Sequence, residues 1–101
     1  MPLYTLLKSS NPKKKYMVHI ISKKTGREKT IHFGASGMSD FTIHKDEARR
    51  QRYIARHSKR EDFNNPETSG YYAKWVLWNK PTIEASWSWV KNDLKRRGYI
   101  K

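Results

Sequence analysis

Tyr16-Met-Val-His-Ile-Ile-Ser22 and Lys29-Thr-Ile-His-Phe33 frame the short segment Lys23-Lys-Thr-Gly-Arg27. Both runs are rich in β-branched and aromatic residues, which suit a pleated, half-buried surface. The Gly-containing connection has the length and composition of a hairpin turn. Side chains alternate between the faces of a strand, so Tyr16, Val18 and Ile20 share one side of the first run and Ile31 and Phe33 one side of the second. His19 and His32 are candidates for a pair across this hairpin. Residues 3–7 are expected to add an edge strand, making three.

Outward from the hairpin the chain changes character. Ser9-Ser-Asn-Pro12 reads as a loop because Ser and Asn start turns and Pro presets φ, and Lys13, Lys14 and Lys15 are assigned to it. Gly34-Ala-Ser-Gly37 ends the sheet. Its G-x-x-G form resembles a loop that clamps nucleotides in one RNA-binding module, but glycines at a strand end also serve simply to reach φ > 0. Asp46 to about Ser58 reads as a helix, with Asp46 and Glu47 where the helix dipole favours anions. Residues 59–70 form a loop, and Tyr71 to Trp78 a short helix broken before Pro81. A third helix spans Thr82 to about Arg97, with Ile83, Trp87, Val90 and Leu94 on one stripe and Gly98 as its C′ residue. The fold class is α+β: an N-terminal hairpin, extended to three strands by the edge run, followed by three helices.

At 101 residues this is expected to be one domain, 1–101. Twenty-two Lys and Arg oppose nine Asp and Glu, a formal charge of +13. Such a surface repels itself until a polyanion neutralises it. Nucleic acid is the first expectation, DNA ahead of RNA, and an anionic membrane surface the next. No stretch is long and apolar enough to span a membrane, and the apolar start Met1–Leu7 is too short for a signal peptide. The absence of cysteine removes disulfides and thiolate metal sites and fits a reducing compartment.

The helix from Asp46 concentrates the charge. At ~100° per residue, Arg49, Arg52, Arg56, Lys59 and Arg60 fall within about a third of its circumference, while Ala48, Ile54 and Ala55 lie opposite, where they would pack on the core. Charged faces are ordinarily just solvated. This one has a single sign and is mostly Arg, whose planar fork matches phosphate oxygens. It is therefore the expected nucleic-acid footprint, with Lys45 beside it and Lys23, Lys24, Arg27 and Lys29 of the hairpin as auxiliary contacts or merely solvated lysines. Lys95, Arg96, Arg97 and Lys101 read equally as a third contact or as charges complementing a helix C-terminus.

Catalysis is not expected. A Mg²⁺-dependent nuclease needs convergent carboxylates, whereas Asp46 and Glu47 diverge by ~100° on a helix. The four histidines offer no close ligand pair, so neither metal nor cofactor is implied. Trp75, Trp78 and Trp87 are expected in the core, and Trp89, off the stripe, as an exposed ring for base stacking or a protein contact.

Gly34-Ala-Ser-Gly-Met-Ser-Asp-Phe-Thr-Ile-His-Lys-Asp46, Arg52-Tyr-Ile-Ala-Arg-His57, Asn65-Pro-Glu-Thr-Ser-Gly70 and Leu77-Trp-Asn-Lys-Pro81 to Ser86 resemble, in the same order, a family of small basic proteins of large double-stranded DNA viruses. That resemblance covers about half the chain. It implies a viral product of the virion core or viral factory, with genome binding or packaging as its task, and transfers no catalytic residue. Ser39, Asp40, Thr42, His44, Lys45 and Asp46 of the motif serve either fold or ligand. A structural virion protein bridging coat or core components is the alternative.

Overall fold

Strands β1 (Pro2–Lys8), β2 (Lys14–Ser22) and β3 (Glu28–Ala35) form one antiparallel sheet in the order β1-β2-β3. The computed structural model describes residues 2–22 and 25–100. Tyr16 lies opposite Phe33, Val18 opposite Ile31, and Tyr4 opposite Ile20, so the apolar alternation of all three strands meets on one face. The edge strand expected from residues 3–7 is β1. The histidines do not pair: His19 faces Thr30 and His32 faces Met17. They are diagonal neighbours, and each ring bonds elsewhere, His19 Nδ1 to Thr30 Oγ1 at 3.1 Å and His32 Nδ1 to Ser9 Oγ at 2.7 Å. Lys14 and Lys15, assigned to the preceding loop, instead begin β2.

A single helical turn not anticipated from sequence, α1 (Phe41–His44), follows the sheet. Asp40 caps it by accepting from the Thr42 N–H at 2.9 Å, and Lys45 closes it in the left-handed region at φ 54°. Helix α2 (Glu47–His57) is capped in turn by Asp46, which accepts from the N–H groups of Ala48 and Arg49. Helix α3 (Ser69–Tyr72) runs on as a π-helical turn over Ala73–Leu77, and α4 (Ile83–Arg96) ends at Gly98 with φ 85°. The three longer helices fall close to the expected spans, but the short one begins at Ser69, inside the stretch expected as a loop, because Thr68 caps it by accepting from the Tyr71 N–H.

The core joins the inner sheet face to the helices that follow the long loop. Val18 and Phe33 from the sheet, Tyr71, Tyr72 and Val76 from α3 and its π turn, and Val90 and Leu94 from α4 are essentially inaccessible to water. One polar network is buried with them: the Tyr71 hydroxyl donates to Asp93 Oδ2 at 2.6 Å, and Arg96 and Arg97 hold the same carboxylate. Burial works against its charge, yet the hydrogen bond from Tyr71 and the two guanidinium groups keep the Asp93 carboxyl below its ordinary range. Arg97 also donates to the Asn64 carbonyl, tying α4 to the 59–70 loop.

Two expectations about packing are corrected. Ala48 and Ala55 of α2 are exposed, Ile54 is only half-buried, and α2 buries none of its residues. Its inward side is Arg50, Tyr53 and His57, because the partner surface offered to it is an aromatic ring and a carbonyl rather than an aliphatic groove. Trp75, Trp78 and Trp87 pack against the core from outside it, half-buried, and Trp89 is not free-standing but stacked on Trp75 at 4.3 Å and 18°.

Gly34 and Gly37 both have positive φ, but their surroundings differ. A Cβ on Gly34 would lie 2.6 Å from Leu77 Cδ1, whereas one on Gly37 meets nothing within 4 Å. Gly34→Ala is therefore expected to lower the unfolding free energy by about 2 kcal/mol more than Gly37→Ala, as measured by urea denaturation. Equal losses would show that only backbone conformation matters at the sheet end.

Lys74 is buried in the π turn, its ammonium over the Trp75 ring at 3.1 Å. Burial, with the charge of Arg50, pulls its pKa down to about 8. A lysine whose pKa is lower folded than unfolded releases its proton first in the native state, so its contribution to stability rises between pH 8 and 10.5. The stability difference between the native chain and Lys74→Met should shift in favour of the native chain by about 1 kcal/mol or more from pH 7 to pH 10. A difference independent of pH contradicts this environment for the ammonium.

Candidate functional site

The position of α2 is set by its inward side. The Tyr53 ring lies on Trp78 at 4.3 Å with 4° between the planes, and His57 stacks on the far side of Tyr53 at 4.2 Å. Arg50 donates from Nε to the Trp78 carbonyl at 2.8 Å and from its guanidinium to Glu47 at 3.0 Å. The N-terminal side of α2 is anchored through α1. Asp40, almost fully buried, takes the Lys15 ammonium at 2.5 Å on one oxygen and the Thr42 hydroxyl and N–H on the other. His44 Nδ1 accepts from the Asp46 N–H at 2.9 Å. The crowd of polar residues from Asp40 to Glu47 is thus a set of caps and ties. Among the described residues, no group of three His, Asp or Glu is arranged to hold a metal ion.

With that side fastened, the neighbouring arc of α2 and the turn after it point outward. Arg49, Arg52, Arg56, Lys59 and Arg60 are all exposed, and among the described residues none of their side chains has an ion pair or hydrogen bond. The nearby carboxylates have other neighbours, Glu61 among them with its Oε2 3.4 Å from His57 Nδ1. Glu47 is held by Arg50 and Gln51, Asp40 by Lys15, and Asp46 by the amides it caps.

Behind this face lies a cavity of about 550 Å³ between α2, the start of β2, the end of β3 and the π turn. Phe33 and Leu77, both buried, line its interior together with Tyr53 and Trp78. Exposed Arg49, Arg56, Arg60 and Lys14 line it as well. A second hollow of about 360 Å³ shares Lys14 and Lys15 and adds Lys8. Positive charge therefore extends from α2 across the end of the sheet.

The other sequence candidates lie elsewhere. Lys29 faces Ile20, six residues along β2 from Lys14 or roughly 20 Å at strand spacing, and pairs with Glu67 at 2.9 Å. Arg27 is exposed at that same far end, while Lys23, Lys24 and Lys101 lie outside the described residues. Lys45 donates from Nζ to the Thr42 carbonyl at 3.0 Å. Arg96 and Arg97 are bound to Asp93, which makes them part of the fold's own network. The hairpin end and the arginine face therefore do not converge. Lys14, Tyr53, His57 and Glu61 were not among the sequence candidates. Carrying the alternation of Tyr16, Val18 and Ile20 one step back puts Lys14 on the helix-covered side; Tyr53, His57 and Glu61 stand four residues apart, a helical spacing that puts them on one side.

No curated protein and no solved structure matches the chain. The model of a family of unknown function, DUF5754, matches residues 4–57, which is more than half of the chain. That span takes in β2, β3 and β1 from Tyr4 onward, α1, both aspartate caps and Arg49, Arg52 and Arg56, and it stops before Lys59, Arg60 and the aromatic helices. The chain belongs to DUF5754, a family of unknown function.

Proposed function

We propose that the protein binds nucleic acid, duplex DNA in the first place, by gripping phosphates with Arg49, Arg52, Arg56, Lys59 and Arg60. The observation that carries this reading is that, among the described residues, these five exposed cations have no ion-paired acidic partner, in a chain of +13 that pairs Lys15, Lys29, Arg50, Arg96 and Arg97 internally. Guanidinium groups left unpaired on one arc suit bidentate contact with phosphate oxygens. Phosphate contacts position a protein without reading bases, so binding is weakly sequence-specific. The resemblance of residues 34–46, 52–57, 65–70 and 77–86 to small basic proteins of DNA viruses leads to the same partner, with genome condensation in a virion core or viral factory as the setting. No catalytic step is assigned.

A second reading, a structural virion protein bridging coat or core components, draws on the sheet face away from the helices. There Leu3 and Leu7 of β1 are about half exposed. A gel shift with arbitrary duplex at physiological salt separates the two, because a phosphate-gripping protein retards any duplex and a bridging protein none.

If about six phosphates are neutralised, log K for duplex falls against log[salt] with a slope near −5. Replacing Arg52 and Arg56 together by Gln should flatten that slope by about 2 without lowering the unfolding midpoint, since both side chains are exposed and their removal relieves like-charge repulsion. Gln at Lys29, which is paired with Glu67, should change it far less. A slope unaffected by the α2 pair removes this helix from the footprint.

A further inference from the structure

The cavity beside α2 has charged walls and a closed floor. Phe33 and Leu77 beneath it are 1% and 2% exposed, and both faces of the Tyr53 ring are covered, one by Trp78 and the other by His57. Glu61 Oε2 is buried against His57. The interior therefore has no free surface for a flat apolar group. What the space offers a ligand is its rim: exposed Arg49, Arg56 and Arg60 on the α2 side and exposed Lys14 on the sheet side. The two carboxylates of the lining are turned to other groups, Asp40 to Lys15 and Glu61 to His57.

The smaller hollow continues this space. It shares Lys14, Lys15 and Asp40 with the cavity and adds Lys8. Lys8 ends β1 opposite Tyr16, and Lys14 stands two residues before Tyr16 on β2, so these two exposed lysines are neighbours at the sheet end. Among the described residues neither has an ion pair. A convex helix meets a phosphate chain from one side only, whereas here cations stand on two sides of one trough. We propose that this trough seats the backbone of one nucleic-acid strand, with Arg49, Arg56 and Arg60 along one flank and Lys14 and Lys8 along the other. It reads linked phosphates and nothing of the bases, because only the charged rim is open to a ligand. This rests on the reading of the arginine arc as a phosphate-binding surface. It adds two lysines from a separate element, and a strand held by its phosphates alone needs neither its bases nor a complement.

The test measures binding of a short DNA strand, and of an abasic strand of the same length, at physiological salt. It uses the native chain and three variants that each lower the net charge by the same amount. Lys14→Gln removes a trough cation, and Met38→Glu places a carboxylate at an exposed position of the lining. Lys29→Gln makes the matched change at the far end of the sheet. The native chain should bind both strands within about twofold, since base stacking, worth roughly 1–3 kcal/mol per base where it occurs, is absent. Lys14→Gln and Met38→Glu should each weaken binding about fourfold, the factor carried by one released counterion on a single strand, and Lys29→Gln by less than about twofold. An abasic strand bound about tenfold more weakly than the natural one overturns the phosphate-only seat. Unless both trough variants lose more than Lys29→Gln does, the trough is overturned; the arginine reading then stands if the Arg52 and Arg56 double variant still weakens binding. A native chain that binds neither strand overturns that reading and the trough with it.

Discussion

Tyr53 lies flat on Trp78, and the orientation of everything the protein offers to a partner follows from that contact. Helix α2 buries none of its residues, so the aliphatic stripe that usually docks an amphipathic helix is missing. Two nearly parallel rings 4.3 Å apart fix the distance, and the hydrogen bond from Arg50 to the Trp78 carbonyl fixes the rotation about the ring normal. A turn of 100° about the helix axis would press guanidinium groups onto Trp78 and strip their water, which is unfavourable without a carboxylate to receive them. What faces outward is thus decided by what the inward side holds.

The electrostatics run in the same direction. Asp40, Glu47 and Asp93 are each bound to a cation within the fold, while Asp46 is spent on helix amides. The residual charge collects on side chains that, among the described residues, form no ion pair with a carboxylate. Two like charges 8 Å apart in water repel by about 0.5 kcal/mol, so five on one arc cost a few kcal/mol before salt screens them. A polyanion removes that repulsion as it binds. Folded stability and ligand binding are coupled through the same side chains.

The parts of the fold that could be read from the chain are those set by neighbours along it. The period-two runs around Gly26 specify the hairpin, and Thr82 with the stripe Ile83, Trp87, Val90 and Leu94 specifies α4. The arginine arc was legible for the same reason, being a matter of helical spacing alone. What failed depended on distant partners. The inward side of α2 is defined by Trp78, 25 residues beyond Tyr53, and no periodicity within the helix reveals that an arginine, a tyrosine and a histidine will be chosen over two alanines. Trp89 lay off its own helix's stripe, yet Trp75 on another element was waiting to cover it. The cavity is the extreme case. Its walls come from β2, β3, α2 and the π turn, so Lys14 came to lie near His57 and Glu61 only through tertiary structure.

The central claim is that the outward arc of α2 is the surface that meets nucleic acid, and its most direct test is NMR mapping on the native chain. Backbone amide and arginine Nε–H resonances would be followed during titration with a short duplex. Perturbations concentrated on Arg49, Arg52, Arg56, Lys59 and Arg60, with Arg96 and Arg97 unmoved on Asp93, are the predicted result. Perturbations confined to the outer sheet face around Leu3 and Leu7, or to the far end of the hairpin, would contradict it.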